Sequence, residues 1–221
     1  PSLVPRLLVV FVLGGMQGLL GWYMVRSGLV DVPWVSPYRL TAHLGLAVVL
    51  YSYLWWLVLD HWLPSAKPGV AIWHRRTGFA LCALVFLTLL SGGFVAGLKA
   101  GYAFNTFPLM AGGWLPPGYW VMEPGWRNLF ESIPTVQFNH RVLGSASFLG
   151  LMAFVGFAWR RTSSGYYRWL LGILGCAATV QVGLGVATLL LHVPIVLAAL
   201  HQASALFLVT ISLCVAFVGR R

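Results

Sequence analysis

Charge is scarce in this chain, and negative charge most of all. Only 8% of its 221 residues are charged, and the four acids, Asp31, Asp60, Glu123 and Glu131, all lie outside the long apolar runs. No ionisable carboxylate is therefore available inside those runs for acid–base chemistry. Cys82, Cys176 and Cys214 each stand alone in an apolar stretch. Without Cys-x-x-Cys or another metal-ligand spacing, they read as small buried hydrophobes and give no support to a redox role. Low-complexity tracts and a soluble domain are also missing, as are the short alternating segments of a barrel. The chain opens Pro1-Ser2-Leu3-Val4-Pro5 with no initiator methionine or signal pattern, and we expect a fragment or a processed chain.

What is abundant is apolar length. A hydrophobic content of 59% and a mean hydropathy of +0.84 exceed what any water-soluble domain of this size needs. Together they identify an all-α, polytopic integral membrane protein. Six stretches, 7–25, 40–59, 77–98, 135–158, 169–191 and 194–219, are long and charge-free enough to span as helices.

A net charge of +10 would suggest nucleic acid in a soluble protein. Here the basic residues are divided among short loops and termini, where they encode orientation. Lys67, Arg75 and Arg76 follow the second span, Arg160, Arg161 and Arg168 follow the fourth, and Arg220 and Arg221 end the chain, which marks those ends as cytoplasm-like. The opposite loops balance Arg26 and Arg39 against Asp31, and Lys99 and Arg127 against Glu123 and Glu131, so they face outside. The long connection 99–134 mixes Gly, Pro and Trp; we expect an ordered interfacial loop that lids a pocket.

His43, His140 and His201 all fall near outer ends of predicted spans. One such histidine is explained by a hydrogen bond to a neighbouring helix; three at matched depth ask for a ligand or a proton path. Gln137, His140, Arg141 and Gly144 share one helix face at i, i+3, i+4, i+7. That face suits a porphyrin, which needs an axial nitrogen, a cation for its propionates and small residues where the ring approaches. His201 lies at comparable depth and offers a second axial nitrogen. Arg39 and His43 form a similar cation-plus-ligand pair, with no second histidine obviously placed to join His43. Gly14-x-x-x-Gly18 and Gly93-x-x-x-Gly97 read as close helix packing. His61, His74 and His192 read as loop-proximal residues without a site role.

An internal repeat adds to this. Gln17-Gly-Leu-Leu-Gly21 echoes Gln181-Val-Gly-Leu-Gly185, and each precedes a helix with an early histidine. Gln17 and Gln181 are expected to hydrogen-bond between helices. If the repeating unit is four helices, a further pair is expected before residue 1.

Gln17 to Gly28, Tyr38-Arg-Leu-Thr-Ala-His-Leu44, Asn105-Thr-Phe-Pro-Leu-Met110, Gln137-Phe-Asn-His-Arg-Val-Leu-Gly144, Gln181-Val-Gly-Leu-Gly185 and His201-Gln202 together resemble the heme A synthases that lack loop cysteines. The resemblance implies eight transmembrane helices in two pseudo-repeated four-helix bundles, of which this chain holds six and lacks the first two. Residues 1–62 would then be the second helix pair of the substrate-heme half, and 63–221 the C-terminal four-helix half. It implies that His140 and His201 hold a heme b, with Gln137, Arg141 and Gly144 beside it, and that His43 is an axial ligand of the substrate heme. A catalytic acid is expected in the absent helices, since Gln137 puts a neutral amide where the other half has a glutamate.

The implied activity is oxidation of the C8 methyl of heme O to a formyl group, giving heme A for cytochrome oxidase. Heme O synthase is an implied partner alongside membrane lipid, an electron acceptor is undefined, and a homo-oligomer is possible. The location would be the bacterial inner (plasma) membrane or, alternatively, the mitochondrial inner membrane. The competing readings are a noncatalytic b-type cytochrome and a heme-handling membrane subunit.

Overall fold

The computed structural model describes residues 3–26, 34–63 and 72–218, the side chains of residues 72–75 excepted. Six long helices are each apolar enough to cross a membrane: α1 (Leu3–Arg26), α2 (Pro37–Trp62), α3 (Ile72–Gly97), α5 (Ile133–Arg161), α6 (Gly165–Leu190) and α7 (Ile195–Val218), with a single-turn α4 (Asn128–Glu131) before α5. No strand occurs among the described residues, only an isolated bridge between Met110 and Gly113. The chain is a multi-pass, all-α membrane protein.

Each helix exists because an apolar run satisfies its own backbone, as the membrane requires. Their ends reach beyond most of the hydropathic boundaries. Tyr38 and Arg39 lie inside α2, and Arg160 and Arg161 close α5, because polar-tipped side chains leave the apolar layer while the backbone stays helical. For the same reason Asp60 falls within α2, where it pairs with Arg6 of α1 at 2.8 Å. Proline supplies a first-turn residue in α2 and α5, and Ser164 caps α6 by accepting from the Tyr167 amide.

Helices α3, α5, α6 and α7 pack as a bundle, α2 lies against α3 and α7, and α1 packs on α2. The core of the bundle occupies one end. Its buried residues are Leu151, Phe154 and Ala158 of α5, Tyr167 to Ala178 of α6, and Leu208 to Phe217 of α7. At the other end neither α6 beyond Ala178 nor α7 before Leu208 contributes a buried residue. The packed end carries Arg76, Arg160, Arg161 and Arg168. Lys67, Arg220 and Arg221 lie outside the described residues, as do Asp31 and the side chain of Arg75.

Small residues tighten the α2–α3 contact as expected. A Cβ on Gly93 would stand 2.8 Å from Thr41 Oγ1, and one on Gly97 would stand 2.7 Å from the Pro37 Cα. At Gly14 and Gly18 no such contact is seen: among the described residues, nothing lies within 4 Å of a Cβ there. The cysteines also divide. Cys82 and Cys214 are half-buried, whereas Cys176 is exposed on α6, so its apolar environment is the surface of the bundle rather than its core.

Candidate functional site

His43, His140 and His201 sit in the second turn of α2, α5 and α7, all at the loosely packed end. Each imidazole rests on a glycine of the preceding long helix. A Cβ on Gly21 would meet His43 Cε1 at 3.1 Å, one on Gly92 would meet His140 Cε1 at 3.1 Å, and one on Gly185 would meet His201 Cε1 at 2.8 Å. The same seat is thus built three times, on α1–α2, α3–α5 and α6–α7. Side-chain-free backbone is what lets the Cε1 corner of each ring come this close to the neighbouring helix.

The polar partners of the three rings differ. Gln17 Nε2 donates to the His43 carbonyl at 3.1 Å and lies 3.2 Å from His43 Nε2, so the expected interhelical role of Gln17 is present. His140 Nδ1 stands 2.7 Å from Ser91 Oγ, which in turn donates to the Thr88 carbonyl at 2.6 Å. The Nδ1 atoms of His43 and His201 are buried without a partner, as is Gln181 Oε1.

Arg141 and Gln137 fix the outer loop. The Arg141 guanidinium donates to the carbonyls of Phe104 at 2.7 Å and Thr106 at 2.8 Å, and Gln137 Nε2 donates to Phe104 O at 3.2 Å. Asn105 donates to Leu189 O at 2.8 Å and so occupies an end-of-helix carbonyl of α6. The outer loop is therefore pinned to α5 and α6 by three side chains of the quoted motifs. Deeper support comes from Asn128, fully buried, whose amide bridges the backbone of Val121, Met122 and Gly125. Thr135 donates to the Tyr119 carbonyl.

Glu131 is not the solvated carboxylate its position suggested. It accepts from Arg127 at 2.7 Å and from the Tyr38 hydroxyl at 2.9 Å, which ties α4 to the start of α2. The Arg127 guanidinium, with help from Tyr38, holds its carboxyl below the usual range. The Arg39 guanidinium stacks over Tyr23 of α1 at 4.4 Å. Among the remaining histidines, His61 lies in the last turn of α2 beside Trp62, His192 forms the α6–α7 turn at φ 60°, and the side chain of His74 is outside the described residues.

These residues fit an axially ligated macrocycle in four respects. Two imidazoles face one bundle at one depth, and nothing lies within 4 Å of a Cβ on Gly144 or Gly183. His201 Nδ1, Gln137 Oε1 and Arg141 Nε are buried polar atoms without partners, and the adjoining halves of α6 and α7 add no buried side chains. Buried polar atoms are satisfied in most proteins, so this concentration points to a polar ligand group. A small metal-ion site is not the match: no group of three His, Cys, Asp or Glu gathers among the described residues. Sequence reading missed Ser91 and Gly92. Their signal was available, since Thr88-Leu-Leu-Ser-Gly92 repeats the four-residue offset of Gln17 to Gly21 and Gln181 to Gly185 with a smaller polar residue first.

The chain is similar to known heme A synthases. A heme A synthase from Nitrosospira multiformis is 47% identical over 96% of this chain, and one from Parvibaculum lavamentivorans is 45% identical over 93%. The heme A synthase COX15 of Homo sapiens is 44% identical over 88%. The chain spans 60%, 58% and 50% of the lengths of these relatives, respectively. The family model described as cytochrome oxidase assembly protein matches residues 1–213 and therefore takes in all three histidine seats, and this chain belongs to that family, COX15-CtaA.

Proposed function

We propose that this chain is the heme-bearing part of a heme A synthase, which oxidises the C8 methyl of heme O to a formyl group and supplies heme A to cytochrome oxidase. The observation that carries the reading is that His140 and His201 each rest on a glycine seat at the end of the bundle where α6 and α7 bury no side chains. In this reading, residues 63–221 hold a heme b and residues 1–62 belong to the half that receives heme O.

A heme b held by His140 and His201 would supply one-electron transfer. The chain's own residues do the rest. His140 and His201 present one nitrogen each, and Gly144 and Gly183 leave room for a flat ring. Arg141, with its Nε unpartnered, offers positive charge to a propionate while its terminal nitrogens keep hold of the loop. Gln137 offers a neutral acceptor, which supports a redox group without providing an acid. His43, with Gln17 on its ring, orients the substrate heme on the other side of α2. Converting a methyl to a formyl group with oxygen from water releases four protons and four electrons, so an acceptor outside this chain takes the electrons.

The location that goes with this chemistry is the bacterial inner membrane, and heme O synthase is the natural donor of substrate. Pigment analysis of the full-length protein tests the reading. Heme A or hydroxylated heme O accumulating with the protein supports it; heme b alone, with no product after supply of heme O, would identify a noncatalytic cytochrome instead.

A further inference from the structure

The three histidine seats are alike in their glycines and unlike in what touches the rings, and the difference is concentrated at His140. Ser91 Oγ makes two short contacts, 2.6 Å to the Thr88 carbonyl and 2.7 Å to His140 Nδ1. A serine has one proton to give. The carbonyl has none, so the 2.6 Å contact holds a proton only if Ser91 donates it. The 2.7 Å contact then holds a proton only if it comes from the imidazole.

We infer that Ser91 is a positioning residue: by accepting from Nδ1–H and donating to Thr88 O, it fixes His140 in the tautomer whose Nε2 carries the lone pair and is free to bind iron. The inference rests on the reading of His140 as a heme ligand and adds the group that prepares it. His201 has no such side-chain support: its Nδ1 is buried without a hydrogen-bond partner, and only the Gln181 backbone lies in range of its ring. The two axial nitrogens are therefore inequivalent. A hydrogen bond from Nδ1–H gives an imidazole partial imidazolate character and raises its basicity toward the metal. His140 is the stronger donor of the two, and Ser91 favours the ferric state of the heme.

Gly92, next in sequence, explains why a serine suffices. With the ring resting on a bare α-carbon, the side chain of the preceding residue reaches Nδ1 with a single Cβ–Oγ arm. The offset residue Thr88 contributes its carbonyl to this relay, while its own hydroxyl is taken by Leu84 O and Ser147 Oγ. In the other two seats the residues corresponding to Ser91 are Leu20 and Leu184, which have nothing to accept a proton with.

Redox titration of the low-spin b-type signal in full-length protein, comparing wild type with Ser91→Ala, Ser91→Thr and His140→Ala, tests this. Loss of an outer-shell partner of a ligating histidine typically costs tenfold or more. Ser91→Ala is accordingly expected to raise the ferrous-to-ferric ratio at fixed potential about tenfold, equal to about 59 mV for one electron. Ser91→Thr, which keeps the hydroxyl, should stay near wild type. An unmoved potential in Ser91→Ala, with the signal still abolished by His140→Ala, overturns the Ser91 inference and leaves the ligand reading standing. A signal that survives His140→Ala overturns both. If Ser91→Ala does not accumulate, Ser91→Cys, a weaker acceptor, takes its place, and an unmoved potential there counts against the inference equally.

Discussion

At the residue scale the site depends on contacts that a single carbon would disturb. Gly185→Ala places a Cβ 2.8 Å from His201 Cε1, closer than real Cβ atoms come, so the ring must turn or retreat. We expect this variant to fold and to show an altered low-spin signal in electron paramagnetic resonance; an unchanged spectrum would show that the seat does not set the ring. Glu131 gives a pH prediction. Its folded carboxyl titrates below the unfolded value because Arg127 and Tyr38 bind the charged form. Its stabilisation is fully present above the unfolded value of about 4.3 and fades as pH falls through the lowered folded one. Thermal melts of wild type and Glu131→Gln should thus differ at neutral pH and converge in acid. A difference that grows in acid would contradict the assignment.

Legibility at this scale was uneven, for physical reasons. The histidines stood out because an imidazole in an apolar run is costly without a partner. Gly92 and Ser91 did not, since glycine and serine are ordinary in membrane helices and their role appears only when α3 meets α5. The pairing of Glu131 with Tyr38 spans 93 positions and leaves no local pattern at all.

At the scale of elements, all six spans could be read from apolar length, and most of their ends were underestimated where tyrosine and arginine continue the helix. The outer loop was legible as ordered from its Gly, Pro and Trp content. What could not be read was its attachment, which needs Arg141, Gln137 and Asn105 to converge on carbonyls from two segments. Arg141→Ala removes charge-assisted bonds worth roughly 1.5–3 kcal/mol. It should speed amide exchange across residues 101–113 while leaving the inner halves of α5 to α7 protected; uniform exchange would show that Arg141 does not fasten the loop. Gly97→Ala acts on another element pair. Its Cβ would strike the Pro37 backbone, which cannot rotate away, so a destabilisation of about 1–3 kcal/mol is expected in thermal unfolding. A neutral result would place the close α2–α3 approach in doubt.

At the scale of the whole molecule, packing and chemistry occupy opposite ends. Buried aliphatic and aromatic side chains hold α6 and α7 together at the basic end, whereas at the other end these two helices bury no residue, which leaves room for the proposed heme. The two proposed halves meet where α2 packs on α3 and α7; between α2 and α7 the Tyr51 hydroxyl lies 2.6 Å from Thr210 Oγ1 and Trp55 Nε1 donates to Cys214 Sγ at 3.3 Å. These contacts sit two to three turns inward of His43 and His201, and they fix the relative position of the two sites without entering either. The central claim is that His140 and His201 hold the same heme, and it is tested most directly by separate His140→Ala and His201→Ala substitutions in the full-length protein, followed by low-temperature spectra. The account predicts that either change removes one and the same low-spin b-type signal and spares the heme associated with His43. Loss of different signals from the two variants, or retention of all signals in either, would contradict it.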